Sequence, residues 1–118
     1  MVIPPVPVLD VYYAPTCLPC RLELPVLAEA VRDGLSVTVM LLTEEAKARR
    51  QLAAVSPQLA AQAVAVPGGG APRAVLRAAG DGDGILPYSV VRSRQGGACR
   101  SWRGALTLER IRRLLTGC

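Results

Sequence analysis

The stretch that decides the fold runs from Val6 to Arg21 and reads VPVLDVYYAPTCLPCR. Its first half, Val6–Tyr13, is β-branched, aromatic and nearly continuous in apolar character, which is typical of a strand buried on both faces of a sheet. Two cysteines separated by two residues follow at Cys17 and Cys20. A Cys-x-x-Cys pair between a buried strand and a helix predicts a redox-active dithiol.

The segment after the pair predicts a helix. Its apolar residues recur at helical spacing over Arg21–Arg32, and Gly34 supplies a C-cap. If the helix begins at Cys17, the sulfur of Cys17 faces unpaired backbone N–H groups, which favour the thiolate form. Cys20 lies one turn further on, more shielded and within reach of a short disulfide. Cys17 is therefore the predicted attacking thiol and Cys20 the predicted resolving thiol.

The rest of the sequence extends this unit to the order β-α-β-α-(α)-β-β-α, an α/β arrangement. The first two strands follow each other across one helix, so they should be parallel with a right-handed crossover. The pattern predicts a mixed sheet of four strands, or five if one ambiguous segment is a strand, flanked by helices. The later segments are a strand Ser36–Leu42, a helix capped by Thr43 and ending near Val55, the ambiguous Ala60–Val66, a loop Pro67–Pro72, a helix Arg73–Ala79, a loop Gly80–Gly84, a hairpin of Leu86–Arg94 and Ala98–Arg103, and a helix Leu108–Leu115 capped by Thr107.

Length and composition limit the class of protein. The 118 residues fit one domain spanning 1–118, and a hydrophobic content of 51% is enough for one core. No apolar run approaches the ~20 residues that cross a bilayer, so no membrane insertion of this segment is expected. The start, Met1–Val8, lacks a positive region and contains three prolines, unlike a signal peptide. His is absent, so catalysis would use cysteines, carboxylates or backbone groups.

The net charge of +5 comes from thirteen Arg and one Lys against nine acidic residues. The arginines are scattered along the chain, and aromatic residues are not interleaved with them as stacking platforms. The distribution therefore indicates a solvated basic surface and not a nucleic-acid partner. A nucleic-acid binder would instead show a steeply salt-dependent affinity.

Three features together resemble thioredoxin-like proteins. The segment Tyr13–Arg21 (YAPTCLPCR) is similar to their active-site segment, in which Pro often precedes the second Cys and a basic residue follows it. Pro25 stands where that family kinks the active-site helix, and Leu86-Pro87-Tyr88-Ser89 resembles its cis-proline loop. The closing hairpin and helix are similar to the C-terminal half of the extracytoplasmic reductases of the TlpA and ResA type.

The resemblance implies a single-domain thioredoxin fold and a thiol–disulfide oxidoreductase of the reductase type. In that family the first thiolate, here Cys17, attacks a substrate disulfide, and the second, here Cys20, resolves the mixed disulfide. A cis peptide before Pro87 would bring the Leu86 backbone beside the sulfurs, where an extended substrate could pair with it. An apolar docking rim would be formed by Leu18, Pro19, Leu86 and Tyr88.

The resemblance also implies the protein's partners and location. The partners would be a protein substrate with a disulfide or dithiol and an upstream electron-donor oxidoreductase. No cofactor and no metal are expected, and the chain should be a monomer in an extracytoplasmic or periplasmic compartment. The substrate itself and the direction of electron flow stay open, because the Leu-Pro pair between the cysteines does not assign a potential.

One position departs from the family pattern. Thioredoxins carry a buried carboxylate six residues before the first Cys, where it serves proton transfer to the second; here that position is Val11. Asp10 is one residue earlier, and strand side chains alternate, so it should face the other side of the sheet. A surface or salt-bridged role is expected for Asp10 unless a bulge turns it round.

Cys99 and Cys118 complete a set of four cysteines. Four thiolates could bind zinc, but this pair is nineteen residues apart and does not form a second tight knuckle. In an oxidising compartment the pair could form a disulfide, although a strand cysteine and a separate terminal thiol are favoured.

Two loop motifs are each excluded because a required residue is missing, and one alternative to an enzyme stays open. The Gly80–Gly84 loop (GDGDG) lacks a calcium loop's bidentate Glu, since Arg92 occupies position twelve. Gly68–Gly70 lacks the Lys-Ser/Thr of a phosphate loop. The alternative to an enzyme is a thioredoxin-fold binding module, or a Cu(I)- or Zn-binding protein that uses the same cysteines.

Overall fold

A computed structural model describes residues 7–66, 71–93 and 95–118 of the chain. These ranges contain five strands and six helices. In chain order they are β1 (Val8–Tyr13), α1 (Leu18–Leu22), α2 (Leu24–Arg32), β2 (Val37–Leu41), α3 (Glu45–Val55), α4 (Pro57–Ala60), β3 (Ala63–Ala65), α5 (Pro72–Ala78), β4 (Tyr88–Arg92), β5 (Ala98–Arg103) and α6 (Leu108–Thr116).

The strands form one mixed sheet in the order β3-β2-β1-β4-β5, with β1 at its centre. β1 and β2 are parallel, as the βαβ pattern predicted, and β3 runs parallel to β2. β4 is antiparallel to β1, and β5 is antiparallel to β4. The segment Ala60–Val66, which the sequence left between helix and strand, holds the end of α4 and the three-residue β3. The sheet therefore has five strands.

Both faces of the sheet are packed, which explains the continuous apolar character of β1. On one face, alternate β1 side chains lie in a large core with residues of α2, α3, α4 and α6; these β1 residues are Leu9, Val11 and Tyr13. On the other face, a smaller cluster lies beneath α5 and consists of Leu42, Leu76, Tyr88 and Val90. The first core carries most of the buried apolar area and therefore most of the hydrophobic stabilisation.

The helix after the cysteines is divided at Glu23 into α1 and α2. Pro25 explains the division, because it has no N–H to donate to the carbonyl of Arg21 four residues earlier. The predicted helix Arg21–Arg32 is therefore two helices, and it begins earlier than expected, at Leu18. Gly34 follows α2 with φ +83°, the left-handed conformation that favours glycine after a helix.

Two predicted helix caps have different outcomes. Thr107 caps α6, since its Oγ1 accepts the N–H of Arg110 at 3.1 Å. The prediction that Thr43 caps the third helix was wrong: α3 begins one residue later than expected, with Glu44 as N-cap at φ +49° and no side-chain cap. The predicted Val6, Pro67–Gly70 and Arg94 positions lie outside the described residues. Among the helices described, none is long and apolar enough to cross a membrane.

Candidate active site

The Cys-x-x-Cys pair lies where β1 gives way to α1. Cys17 is the N-cap of α1, and its Sγ accepts the backbone N–H of Cys20 at 3.2 Å. The two cysteines are joined by a disulfide. Cys17 is half-buried, whereas Cys20 is only 1% exposed. Cys20 is therefore the more shielded of the two cysteines, as the sequence predicted.

Glu23 is a buried carboxyl group that the sequence did not single out. It lies at the junction of α1 and α2, three residues after Cys20, and is 4% exposed. Its Oε2 accepts the N–H of Leu106 at 2.9 Å, while Oε1 has no hydrogen-bond partner among the described residues. Burial raises the pKa of Glu23 from 4.5 to about 7, although the Leu106 hydrogen bond lowers it in part. Glu23 can therefore exchange a proton near neutral pH.

Asp10 has the structural role that strand alternation predicted. It is buried on the face of the sheet opposite Val11, and its two carboxylate oxygens accept from Arg92 at 2.5 and 3.1 Å. The same bonds raise the pKa of Arg92, with burial acting in the opposite direction. The β1 position where thioredoxins carry a carboxylate is Val11 in this chain, and its side chain packs in the large core.

An apolar groove runs beside the cysteine pair and contains two of the predicted rim residues. Leu18 is 56% exposed and Pro19 is exposed as well. Leu22, at 71%, is the most exposed large apolar side chain among the described residues. The groove is lined by Leu18, Pro19, Leu22, Glu23, Val26, Ala105 and Leu106. Its walls are therefore apolar and its only ionisable lining residue is Glu23.

The Leu86–Pro87 peptide bond is cis, as the resemblance implied. Val11 of β1 pairs with Ser89 of β4, so continuing this antiparallel register by two residues sets Pro87 across from Tyr13. The proline loop and the Cys-x-x-Cys segment therefore lie at the same end of the sheet. Leu86 is half-buried and packs against both apolar cores.

Tyr88 does not belong to an exposed rim, and that prediction was wrong. It is 3% exposed, its ring packs near Tyr12, and its hydroxyl donates to the carbonyl of Ala79 at 3.2 Å. As the first residue of β4, Tyr88 points into the smaller core beneath α5. Of the predicted substrate-binding residues, Leu18, Pro19, Leu86 and Pro87 remain at the surface or at its edge.

Cys99 and Cys118 form a second disulfide, so the expectation of a separate terminal thiol was wrong. Cys99 lies at a register shift in the β4–β5 hairpin: Val91 pairs with Arg100 and Arg92 with Ala98, which leaves Cys99 without a partner residue in β4. Both cysteines are exposed. The bond joins β5 to the end of α6. Within the described ranges, no group of three or more His, Cys, Asp or Glu side chains is arranged to hold a metal ion.

Comparison with solved structures gives the fold a name. A thioredoxin-related protein from Neisseria meningitidis serogroup B is 18% identical, with a TM-score of 0.74 over 93% of this chain and 82% of that one. An exposed lipoprotein thioredoxin from Streptococcus pneumoniae is 15% identical, with a TM-score of 0.73 over 96% and 85%. A secreted Mycobacterium tuberculosis disulfide oxidoreductase homologous to E. coli DsbE is 14% identical, with a TM-score of 0.64 over 92% and 82%.

No family model and no curated protein matches the chain by sequence. The structural likeness nevertheless spans nearly the whole chain and includes proteins described as thioredoxins. The chain therefore has the thioredoxin fold, a single α/β domain with a five-stranded mixed sheet flanked by helices.

Proposed function

We propose that the chain is a thiol–disulfide oxidoreductase that acts on protein substrates through Cys17 and Cys20. The observation that carries the proposal is the geometry of the pair: a half-buried Cys17 at a helix N-cap, disulfide-bonded to a buried Cys20, on a thioredoxin fold. The structural neighbour described as a secreted disulfide oxidoreductase supports the same chemistry.

In the reducing direction, the Cys17 thiolate attacks one sulfur of a substrate disulfide. A Cys17–substrate disulfide forms, and the other substrate sulfur leaves as a thiolate. Cys20 then loses its proton and attacks the Cys17 sulfur. This step forms the Cys17–Cys20 disulfide and releases the second substrate thiolate, so the two electrons of one dithiol have moved to one disulfide.

The resolving step needs a group that accepts the proton of Cys20, and we assign this role to Glu23. Glu23 follows Cys20 by one helical turn, and it lines the groove beside the pair. A pKa of about 7 keeps a substantial fraction of the carboxyl group ionised at neutral pH and able to take up a proton. It thus replaces the carboxylate that is missing at Val11.

The substrate docks, in this proposal, between two apolar elements at the same end of the sheet. Leu18 and Pro19 contact it from α1, and the backbone of Leu86 pairs with its extended chain next to Pro87. Apolar side chains that stay exposed beside a reactive thiol favour contact with a protein segment and not with a small polar substrate.

Each reductive turn leaves Cys17 and Cys20 oxidised, so a reductase requires an upstream oxidoreductase that supplies a dithiol. The neighbours described as a secreted protein and an exposed lipoprotein support an extracytoplasmic or periplasmic location. We expect the chain to act as a monomer.

A redox titration of the native chain tests the proposal. The protein is equilibrated in dithiothreitol or glutathione buffers, alkylated, and analysed by peptide mass spectrometry. A single two-electron transition at Cys17 and Cys20 is expected. A potential near −270 mV, roughly that of thioredoxin, would support a reductase. A potential near about −120 mV would instead indicate an oxidant of substrate dithiols.

The variant Cys99→Ser/Cys118→Ser is the matched control, because it removes the second disulfide and keeps the first. Its titration at Cys17 and Cys20 should follow that of the native chain. If the two thiols do not cycle in either protein, or if both resist alkylation after reduction, the oxidoreductase proposal fails.

A further inference from the structure

The loop between α5 and β4 contains a fully buried carboxylate, Asp81, at 0% exposure. Its Oδ2 accepts the N–H of Ile85 at 2.9 Å, and its Oδ1 accepts a guanidinium N–H of Arg103 at 2.9 Å. Its own N–H donates to the carbonyl of Leu76 in α5, and its carbonyl accepts from Gly84. Both carboxylate oxygens thus have partners, which is what a buried charge requires. Asp81 ties α5, the loop and β5 together.

Residues at the end of β5 also form hydrogen bonds with this loop and with Pro87 after it. Arg103 also bonds Asp83, and it pairs with Tyr88 in the β4–β5 register. The N–H of Gly104 donates to the carbonyl of Pro87 at 3.0 Å. The backbone is therefore held at Ile85 on one side and at Pro87 on the other.

Between these two fixed points lies Leu86. Within the described part of the chain, no hydrogen bond uses the backbone N–H or C=O of Leu86. Neighbouring Ile85 is 56% exposed although it is a large apolar residue. The unpaired backbone groups of Leu86, beside an exposed apolar side chain, match what an added β-strand needs: main-chain bonds for affinity and a side-chain contact for selectivity.

We propose that Asp81 is a positioning residue for substrate: together with Arg103 it holds Ile85–Pro87 in the conformation that an extended polypeptide pairs with. The inference rests on the proposed oxidoreductase function, which already supplies the extended substrate, and adds the residues that hold the docking backbone. It also adds that the substrate has an apolar residue close to its cysteine, which contacts Ile85.

Asp81→Asn distinguishes this role from a purely steric role of the side chain. The side chain keeps its shape, but an amide has one acceptor oxygen and one NH₂ group. It can accept from Ile85 or from Arg103, and its NH₂ then faces the other donor. One of the two bonds is lost, so residue 81 no longer links Ile85 to Arg103, while Cys17 and Cys20 are untouched.

The test compares two disulfides with the full, pre-reduced chain. One is a disulfide-bonded peptide with several residues on each side of the cysteines and Leu beside one of them. The other is 5,5′-dithiobis(2-nitrobenzoic acid), which has no backbone to pair. Oxidation of Cys17 and Cys20 is followed by acid quench, alkylation and mass spectrometry across a range of substrate concentrations.

For Asp81→Asn we expect about a tenfold rise in the half-saturating peptide concentration, with a nearly unchanged maximal rate. The rate with the small disulfide should stay within about twofold of the native chain, as should the redox equilibrium constant of Cys17–Cys20. Asp33→Asn is the matched control, because it removes an Asp–Arg pair with Arg112 on the surface between α2 and α6. Asp33→Asn should leave the rates with both substrates unchanged.

Arg103→Lys keeps the inference testable if Asp81→Asn fails to fold. Lys retains the charge but lacks the fork that reaches both Asp81 and Asp83, so the same selective loss is expected at a smaller size. Equal losses with both substrates, or no loss with the peptide, would overturn the positioning role alone. A native chain inert towards both substrates would overturn the proposed function, and this inference with it.

Discussion

Replacing Glu23 by Gln should remove a pH dependence of stability that the native chain carries. In the folded chain, burial raises the pKa of Glu23 from 4.5 to about 7, opposed in part by the N–H of Leu106. In the unfolded chain the carboxyl group is solvated and titrates near its ordinary value. Between these pH values the folded chain holds a proton that the unfolded chain has released, so the free energy of unfolding falls as the pH rises.

The size of this fall follows from the two pKa values. The gap between 4.5 and about 7, at about 1.4 kcal/mol per pH unit, corresponds to about 3 kcal/mol. This stability is fully present below the unfolded-state pKa and is lost once the pH exceeds the folded-state pKa. Gln does not ionise, and its amide oxygen can still accept the N–H of Leu106. Relative to the native chain, the variant should therefore gain about 3 kcal/mol between about pH 4 and pH 8.

Urea unfolding at about pH 4 and pH 8, followed by the fluorescence of Trp102, measures this difference. Other titrating groups are common to both proteins and cancel when the native chain and Glu23→Gln are compared. Glu29→Gln is the matched control, because it makes the same change at an exposed position of α2. Parallel pH profiles for the native chain and Glu23→Gln would refute the reasoning, since Glu23 would then be ionised in the fold well below neutral pH.

Three further predictions concern the cysteines and Asp10. Cys20→Ser should accumulate a mixed disulfide with a disulfide peptide, detected by intact mass, whereas a covalent adduct on Cys17→Ser would contradict the assigned roles. Cys99→Ser/Cys118→Ser should lower the free energy of unfolding by about 3 kcal/mol in urea titrations, because that disulfide spans a separation of 19 residues; no loss would mean that the bond constrains little. Asp10→Asn should lower the free energy of unfolding by about 2 kcal/mol, because it weakens a charge-assisted pair between buried Asp10 and partly exposed Arg92, and it should leave the exchange rates unchanged; a slower resolving step would give Asp10 the role assigned to Glu23.

The parts of the molecule predicted from the sequence are those whose information is local. The apolar run of β1, the Cys-x-x-Cys spacing and the turn at Gly34 each act over a few residues, and the βαβ unit follows from their order. The face on which Asp10 lies also followed, because strand alternation alone sets it opposite Val11. The hairpin and Thr107 capping α6 are of the same kind.

The features that the sequence did not reveal depend on contacts between distant segments. Glu23 is buried where the chain returns at Leu106, 83 residues later, whose N–H it accepts; burial raises its pKa, and that hydrogen bond lowers it in part. Tyr88 is buried because α5 lies over the start of β4, and the sequence around α5 gave only a weak pattern. The Cys99–Cys118 disulfide joins a residue at the register shift of the hairpin to a residue just beyond α6, and no spacing rule predicts that these two meet. A carboxyl group three residues after the second cysteine, between two leucines, is the signal that could have pointed to Glu23.

A proton acceptor at the α1–α2 junction contacts a different part of the fold from one at the Val11 position of β1. A carboxylate at Val11 would lie in the large core and would be held by the rigid centre of the sheet. Glu23 is held by the N–H of Leu106, in the connection between β5 and α6 that forms one wall of the apolar groove beside the cysteines. A substrate segment that occupies this groove also excludes water from Glu23, and further desolvation raises the pKa of a carboxyl group. On the proposed mechanism, docking of the substrate therefore raises the proton affinity of Glu23 where it is still ionised, and at neutral pH it also lowers the fraction of the carboxyl group that is ionised.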